Sequence, residues 1–294
     1  MDFKRFMQIL LCKVQLFIGN EYEVSEHTVT KNNGVSLTGV IAKKEGINTF
    51  PTVYVNEYYD KDMLENEVEY VAMKIAQRLK SAVPDRDIDV ETFTDYEKAS
   101  EYIVFKVVNA DKNKELLMDI PHRRYHNLAI VYMYVMDNDE LGGRGTILIR
   151  NEHIDKWNVN EEDIYSRAIK NTQRLMPLKI MKMKDIINDM YESEIVNEDI
   201  KMYVITNESK LYGAGYICLS EAMQAAYERI GSDFYVLPSS VHELIALPYD
   251  DAGDARELLQ MVTEINQTSV SREEVLADSV YLYEHESDKL SWIC

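Results

Sequence analysis

Two runs rich in Val, Thr and Ile, Tyr22–Lys31 and Val35–Lys44, are joined by Asn32-Asn33-Gly34. Asn and Gly accept the positive φ of a tight hairpin turn, so the runs read as an antiparallel pair. Ahead of them Phe3, Phe6, Met7, Leu10, Val14 and Phe17 recur at helical spacing. That stretch superficially resembles a signal peptide, but Lys13 and Gln15 interrupt it and no small-residue cleavage site follows, so an amphipathic core helix is expected instead of export. Pro51–Val55 reads as a third strand, and Leu64, Val68, Val71, Ile75 and Leu79 form one stripe of a helix over residues 62–82. The acidic segment 83–94, with Pro84, reads as a surface connection.

Further along, Tyr102–Val108 and Leu128–Val135 are apolar β-type runs, and Gly142-Gly143-Arg144-Gly145 turns the chain into Thr146–Ile149. A helix over Glu161–Arg174 and a strand over Leu178–Met183 close a first lobe. In a second lobe Met202–Thr206 and Tyr212–Leu219 are expected to pair around Asn207-Glu208-Ser209. A helix from Ser220 to Gly231, strands at Phe234–Leu237 and Leu244–Leu247, a helix at Ala255–Ile265, a strand at Ser279–Tyr283 and a short run around Trp292 complete it. Hairpins are common and βαβ spacing is absent. The expected fold is therefore α+β, with mixed, largely antiparallel sheets and packed helices in two lobes, residues 1–184 and 185–294.

With 46% hydrophobic and 28% charged residues in 294, the chain can bury a sizeable core. Its net charge is −19, and residues 185–294 hold 22 acidic against six basic side chains, a net of −16. Such a chain repels phosphate backbones, so direct nucleic-acid binding is not expected, and the acidic lobe is either a solvated face or a docking face for a basic protein. No apolar run reaches the length of a membrane span, so no membrane partner is expected. Cys12, Cys218 and Cys294 are odd in number, far apart and without CxxC spacing, which fits a reducing, cytoplasmic setting.

Few motifs carry chemistry. The glycines at 142–145 lack the Lys-Ser/Thr of a phosphate loop and open into a strand. His122 and His126 have an i, i+4 spacing, with Asp119 nearby, but the segment soon enters a strand, where that spacing does not make a metal site; no metal or cofactor is expected. Leu237-Pro-Ser-Ser-Val-His-Glu243 places hydroxyls, an imidazole and a carboxylate between two apolar strands. Its bland reading is that a serine caps a turn and Glu243 bonds backbone amides. Its sharper reading is a ligand site joining His122 and Arg124 to Ser239, Ser240, His242 and Glu243. Adjacent strand residues face opposite ways, so His242 and Glu243 are not assumed to form a base and its orienting carboxylate. The 20 tyrosines suit half-buried strand positions as well as recognition surfaces.

The stretches Asp119-Ile-Pro-His122, Ile147-Leu-Ile-Arg-Asn151, Asn171-Thr172, Tyr212-Gly-Ala214, Asp233–Glu243, Met261-Val-Thr-Glu-Ile-Asn266 and Asp278-Ser-Val-Tyr281 together resemble a bacterial family known only as a domain of unknown function. The resemblance spans most of the chain and implies a cytoplasmic bacterial protein with no activity attached; its pattern includes His122 and His242 but not His126. The leading expectation is a non-enzymatic binding or accessory protein with an acidic, tyrosine-rich interaction surface. The alternatives are a hydrolase or transferase with a His/Ser/Glu site, and an acidic nucleic-acid mimic.

Overall fold

The computed structural model describes residues 1–48, 50–83, 91–138, 143–191 and 201–294, and they form an α+β protein with three antiparallel sheets. The chain divides into two compact units, residues 1–92 with 137–145, and residues 93–136 with 146–294. The lobe boundary expected at 184/185 falls inside the second unit. Strands on either side of it pair there, with Lys182 opposite Tyr203. Most of the connection expected at 83–94 and the start of the turn at Gly142 lie outside the described residues.

The first unit comprises α1 (Phe3–Ile18), β1 (Tyr22–Thr30), β2 (Ser36–Lys44), β3 (Thr52–Tyr54) and α2 (Glu65–Ala82). Asp2 caps α1 by accepting the Arg5 N–H at 2.7 Å. The hairpin turn forms as expected, with Asn33 and Gly34 at φ 60° and 68°. Phe6, Met7, Leu10, Val14 and Ile18 of α1 share a core with Val68, Val71, Ala72, Ile75 and Leu79 of α2 and with Val40 and Ala42 of β2. Two stripe residues are exposed after all: Leu64 is the N-cap of α2, and Phe17 lies off the face that Leu10, Val14 and Ile18 define at four-residue spacing.

The second unit begins in the short α3 (Glu91–Thr94) and continues through α4 (Tyr96–Ala99), β4 (Ile103–Asn109), α5 (Lys114–Asp119), β5 (His122–Tyr125), β6 (Leu128–Asn138) as far as Met136, β7 (Gly143–Leu148) from Thr146, α6 (Asn151–Trp157) and α7 (Glu161–Leu175). It then runs through β8 (Leu178–Lys182), α8 (Met183–Tyr191), β9 (Tyr203–Asn207), α9 (Ser220–Ile230), β10 (Phe234–Leu237), β11 (Leu244–Pro248), α10 (Ala255–Thr268), β12 (Tyr281–Glu284) and β13 (Lys289–Trp292). One sheet has the order β4-β6-β5, with β7 also on β6; the other has the order β13-β12-β10-β11-β9-β8. Phe105, Ile130 and Tyr132 of the first sheet and Ile205, Phe234, Leu244 and Tyr281 of the second feed one core, together with Ala222, Met223 and Ala226 of α9. The other face of the six-stranded sheet is covered in part by α10, whose Leu258 and Val262 pack with Tyr235, Leu237 and Val280.

The segment expected as a strand at Tyr212–Leu219 is instead a 3-10 turn over Gly213–Cys218. A Cβ on Gly213 would lie 2.7 Å from the Thr206 Cα and from the His242 carbonyl oxygen, so this backbone approaches its neighbours too closely for a side chain. Close approach across the fold, not β-pairing, explains its glycines.

Asp250, Asp251 and Asp254, ahead of α10, do not form one uniform surface. Asp254 is the N-cap, accepting the Arg256 N–H at 2.8 Å, and Asp251 pairs with Lys201 at 3.0 Å. Losing a cap costs about 1 kcal/mol, so neutralising all three aspartates perturbs stability as well as charge.

Burial is the main force pushing the Tyr132 and Tyr281 phenols above the ordinary tyrosine range, and the Glu161 carboxylate adds to it at Tyr132. A group that holds its proton more tightly when folded contributes stability that is full below the unfolded value, about pH 10, and is lost as pH rises toward the folded value. Alkaline titration should therefore show a late phase of phenolate formation coinciding with the loss of near-ultraviolet circular dichroism. Complete phenol ionisation with the dichroism intact would contradict this burial.

Candidate functional site

The loop after β10 is sewn to the segment before β12. Leu276 and Ala277 donate to the carbonyls of Ser239 and Pro238 at 2.8 and 2.9 Å, and Val241 donates to the Glu274 carbonyl at 2.9 Å. Within the loop the Ser240 hydroxyl oxygen accepts the His242 backbone N–H at 3.1 Å, the turn cap that its sequence allows. The His242 imidazole takes its partners outside the loop. Its Nδ1 accepts the Tyr212 backbone N–H at 3.2 Å, its ring stacks on Tyr212 at 5.4 Å, and its Nε2 lies 3.5 Å from the Glu274 carboxylate. With Nδ1 accepting, the ring proton belongs on Nε2, facing Glu274, and no ring lone pair is left to activate a hydroxyl.

Glu243 and Ile245 are two residues apart on an extended chain and share a face, opposite the buried Leu244 and Ala246. That face opens onto a cavity of about 370 Å³. Leu237, paired with Ile245 across β10 and β11, forms its floor with Met202 and Met183, themselves joined by the Met183 N–H to Met202 carbonyl bond at 2.8 Å. Met261, Val262 and Ile265 of α10 make one wall, and Ser239, Ser240, Glu243 and Glu274 supply the polar edge. Glu243 has no hydrogen bond or ion pair among the described residues, so it does not bind backbone amides as its bland reading required.

The expected site residues therefore separate into two groups. Ser239, Ser240 and Glu243 line the cavity, and His242 reaches it through Glu274. His122 and Arg124 lie on β5, opposite Val131 and Ala129 of β6. There His122 Nδ1 is 3.1 Å from the Ile120 carbonyl and the exposed Arg124 is 4.0 Å from Asp111. No hydrogen bond, ion pair or ring contact among the described residues joins either to the 239–243 loop. His126 sits in the β5–β6 turn at φ 53°, its ring against Tyr125 and Tyr281, so the i, i+4 spacing bridges a strand and a turn and not a helical turn. Among the described residues no group of three or more His, Cys, Asp or Glu side chains is arranged to hold a metal ion, and no helix is long and apolar enough to cross a membrane.

A polar cluster that the sequence reading did not select lies on the other face of β5. Arg123 pairs with Glu161 and Glu162 at 2.7 and 2.6 Å and covers the Tyr165 ring at 3.8 Å, while the Tyr132 hydroxyl bonds Glu161. The carboxylates hold the guanidinium in its charged form. Period-two alternation puts Arg123 opposite in facing to His122 and Arg124, which is the signal that could have singled it out. These ion pairs clamp β5 to the first turn of α7, a structural role.

These features define a mixed α+β protein with an apolar, acid-edged cavity against its largest sheet. The chain belongs to a family described as Family of unknown function (DUF5688), whose model matches residues 3–285. No curated protein and no solved structure matches it. Several of the motif residues noted above act on the backbone. Buried Asn171 donates to the Ser100 and Ile103 carbonyls at 2.7 and 2.9 Å, Thr172 accepts the Phe105 N–H at 3.2 Å, and Asn266 donates to the Ala277 carbonyl at 3.2 Å. They satisfy groups that burial would otherwise leave unpaired.

Proposed function

We propose that the protein is a non-enzymatic binding protein whose recognition site is the cavity between β11 and α10, and whose ligand presents an apolar group together with a positive charge. The observation that carries this reading is the pairing of a methionine-rich apolar lining with the carboxylates Glu243 and Glu274, beside an imidazole whose two nitrogens are already engaged. Ligand sites are typically apolar concavities of 300–1,000 Å³ with a few placed polar groups, a description this cavity meets. The −16 charge of residues 185–294 favours cationic partners at long range. The hydrolase or transferase alternative needs His122 and Arg124 beside the serines, and the separation of the two groups weighs against it. A cytoplasmic setting in bacteria accompanies the reading, supported by the cysteine spacing and the family resemblance.

The test is affinity capture with the wild-type protein and with Glu243→Lys/Glu274→Lys, at low and high salt. A partner retained by the wild type, shed by the variant and weakened by salt is the expected result. A partner held equally by both proteins would place recognition elsewhere on the molecule.

A further inference from the structure

The chemistry of the cavity narrows the occupant further, on the footing that the cavity is a recognition site. At about 370 Å³ it lies near the small end of ligand sites, with room for one or two large side chains. Three of its lining residues are methionines drawn from separate places in the chain: Met183 at the start of α8, Met202 before β9, and Met261 on α10. Unbranched thioethers adapt to apolar groups of different shape, a property of surfaces that receive varied apolar anchors. The lining also extends along α10 through Ile265, which is 40% exposed, to Ser269 and Val270. An elongated occupant fits this trough better than a compact one.

Charge fixes the sign of the partner. Glu243 is without a partner among the described residues, and Glu274 is met by the imidazole of His242. An occupant that brings apolar groups without a cation would bury these carboxylates uncompensated, which is costly. A helix with an apolar stripe and Lys or Arg on its flanks brings both groups at the spacing of a single turn.

We propose that the cavity receives the apolar face of a basic amphipathic helix from another protein. One large apolar side chain seats among Met183, Met202 and Met261, and lysines or arginines on the adjoining turn pair with Glu243 and Glu274.

Fluorescence anisotropy with a labelled Leu/Lys peptide, about 18 residues long and so about five helical turns, tests this directly. The comparison probes are the same composition shuffled to abolish the apolar face, the same pattern with Glu for Lys, and phenethylamine as a compact apolar amine. The patterned basic peptide should bind, and Glu243→Gln/Glu274→Gln and Met261→Ala should each weaken it by about tenfold while thermal unfolding shows both variants folded. Equal binding of the shuffled peptide, binding of the acidic peptide, or indifference to both variants would overturn the proposal, because the peptide would then only coat the acidic surface. If phenethylamine enters the cavity and no peptide does, the helix assignment fails and the binding-protein reading stands. If neither enters, both fail.

Discussion

Replacing Gly213 by alanine should destabilise the second unit by about 3 kcal/mol, near the upper end of ordinary overpacking costs. The new Cβ would stand 2.4 Å from the Thr206 hydroxyl oxygen and 2.7 Å from both the Thr206 Cα and the His242 carbonyl oxygen. Two of these three are backbone atoms, and the third hydroxyl already donates to that same carbonyl at 2.8 Å, so none can step aside alone. Relief would require moving the 213–218 turn off β9, and with it the Tyr212 amide that holds His242. At about 2–4 °C per kcal/mol for a unit of this size, the midpoint of thermal unfolding should fall by roughly 6–12 °C. Gly215→Ala serves as the internal control: its Cβ would meet only the edge of the Phe105 ring, at 3.0 Å, and should cost less. If Gly213→Ala melts within about a degree of the wild type, the close approach described for this turn is wrong.

The second large effect belongs to Asn171. Its side-chain amide is the donor to two buried carbonyls, and its own oxygen accepts from Arg174 at 3.2 Å. Alanine would leave both carbonyls without that donor, at about 1–3 kcal/mol each, so Asn171→Ala should cost about 2–6 kcal/mol. Aspartate keeps the shape and removes the donor, and it points negative charge at two carbonyl oxygens. Asn171→Asp should therefore unfold in urea at a midpoint no higher than that of Asn171→Ala at neutral pH. An aspartate variant as stable as the wild type would show that the amide's donors are not what holds α7 to the start of β4.

Asn171 also marks how far residue pattern alone can go. Asn171-Thr172 belongs to the stretches by which the chain resembles its family, and from sequence such a pair serves equally well as a site or as a scaffold. Its role became plain only when Ser100, Ile103 and Phe105, nearly 70 residues upstream, appeared as its partners. The loop 239–243 behaves similarly. Sequence allowed either Ser239 or Ser240 as the turn cap, a role Ser240 takes, and warned that His242 and Glu243 face opposite ways, but the partners of His242 are Tyr212 and Glu274, each about 30 residues away.

Elements determined by neighbours in the chain were legible without any structure. The Asn33-Gly34 turn, the apolar stripes of α1 and α2, and the helices and strands at α7, α9, α10, β10 and β11 follow from positive-φ tolerance and from periods of 3.6 and 2. The α+β class and its antiparallel sheets follow from how those elements alternate. Tertiary structure decided the rest. Tyr212–Leu219 has the composition of a strand, yet Thr206 and His242 leave Gly213 no room for a Cβ and the chain winds as a 3-10 turn. The cavity draws Met183, Met202, Glu243, Met261 and Glu274 from separate stretches of more than 90 residues of chain. Local pattern sets which face a side chain takes on its own element; which faces then meet depends on packing between distant elements, and that is where the candidate site arises.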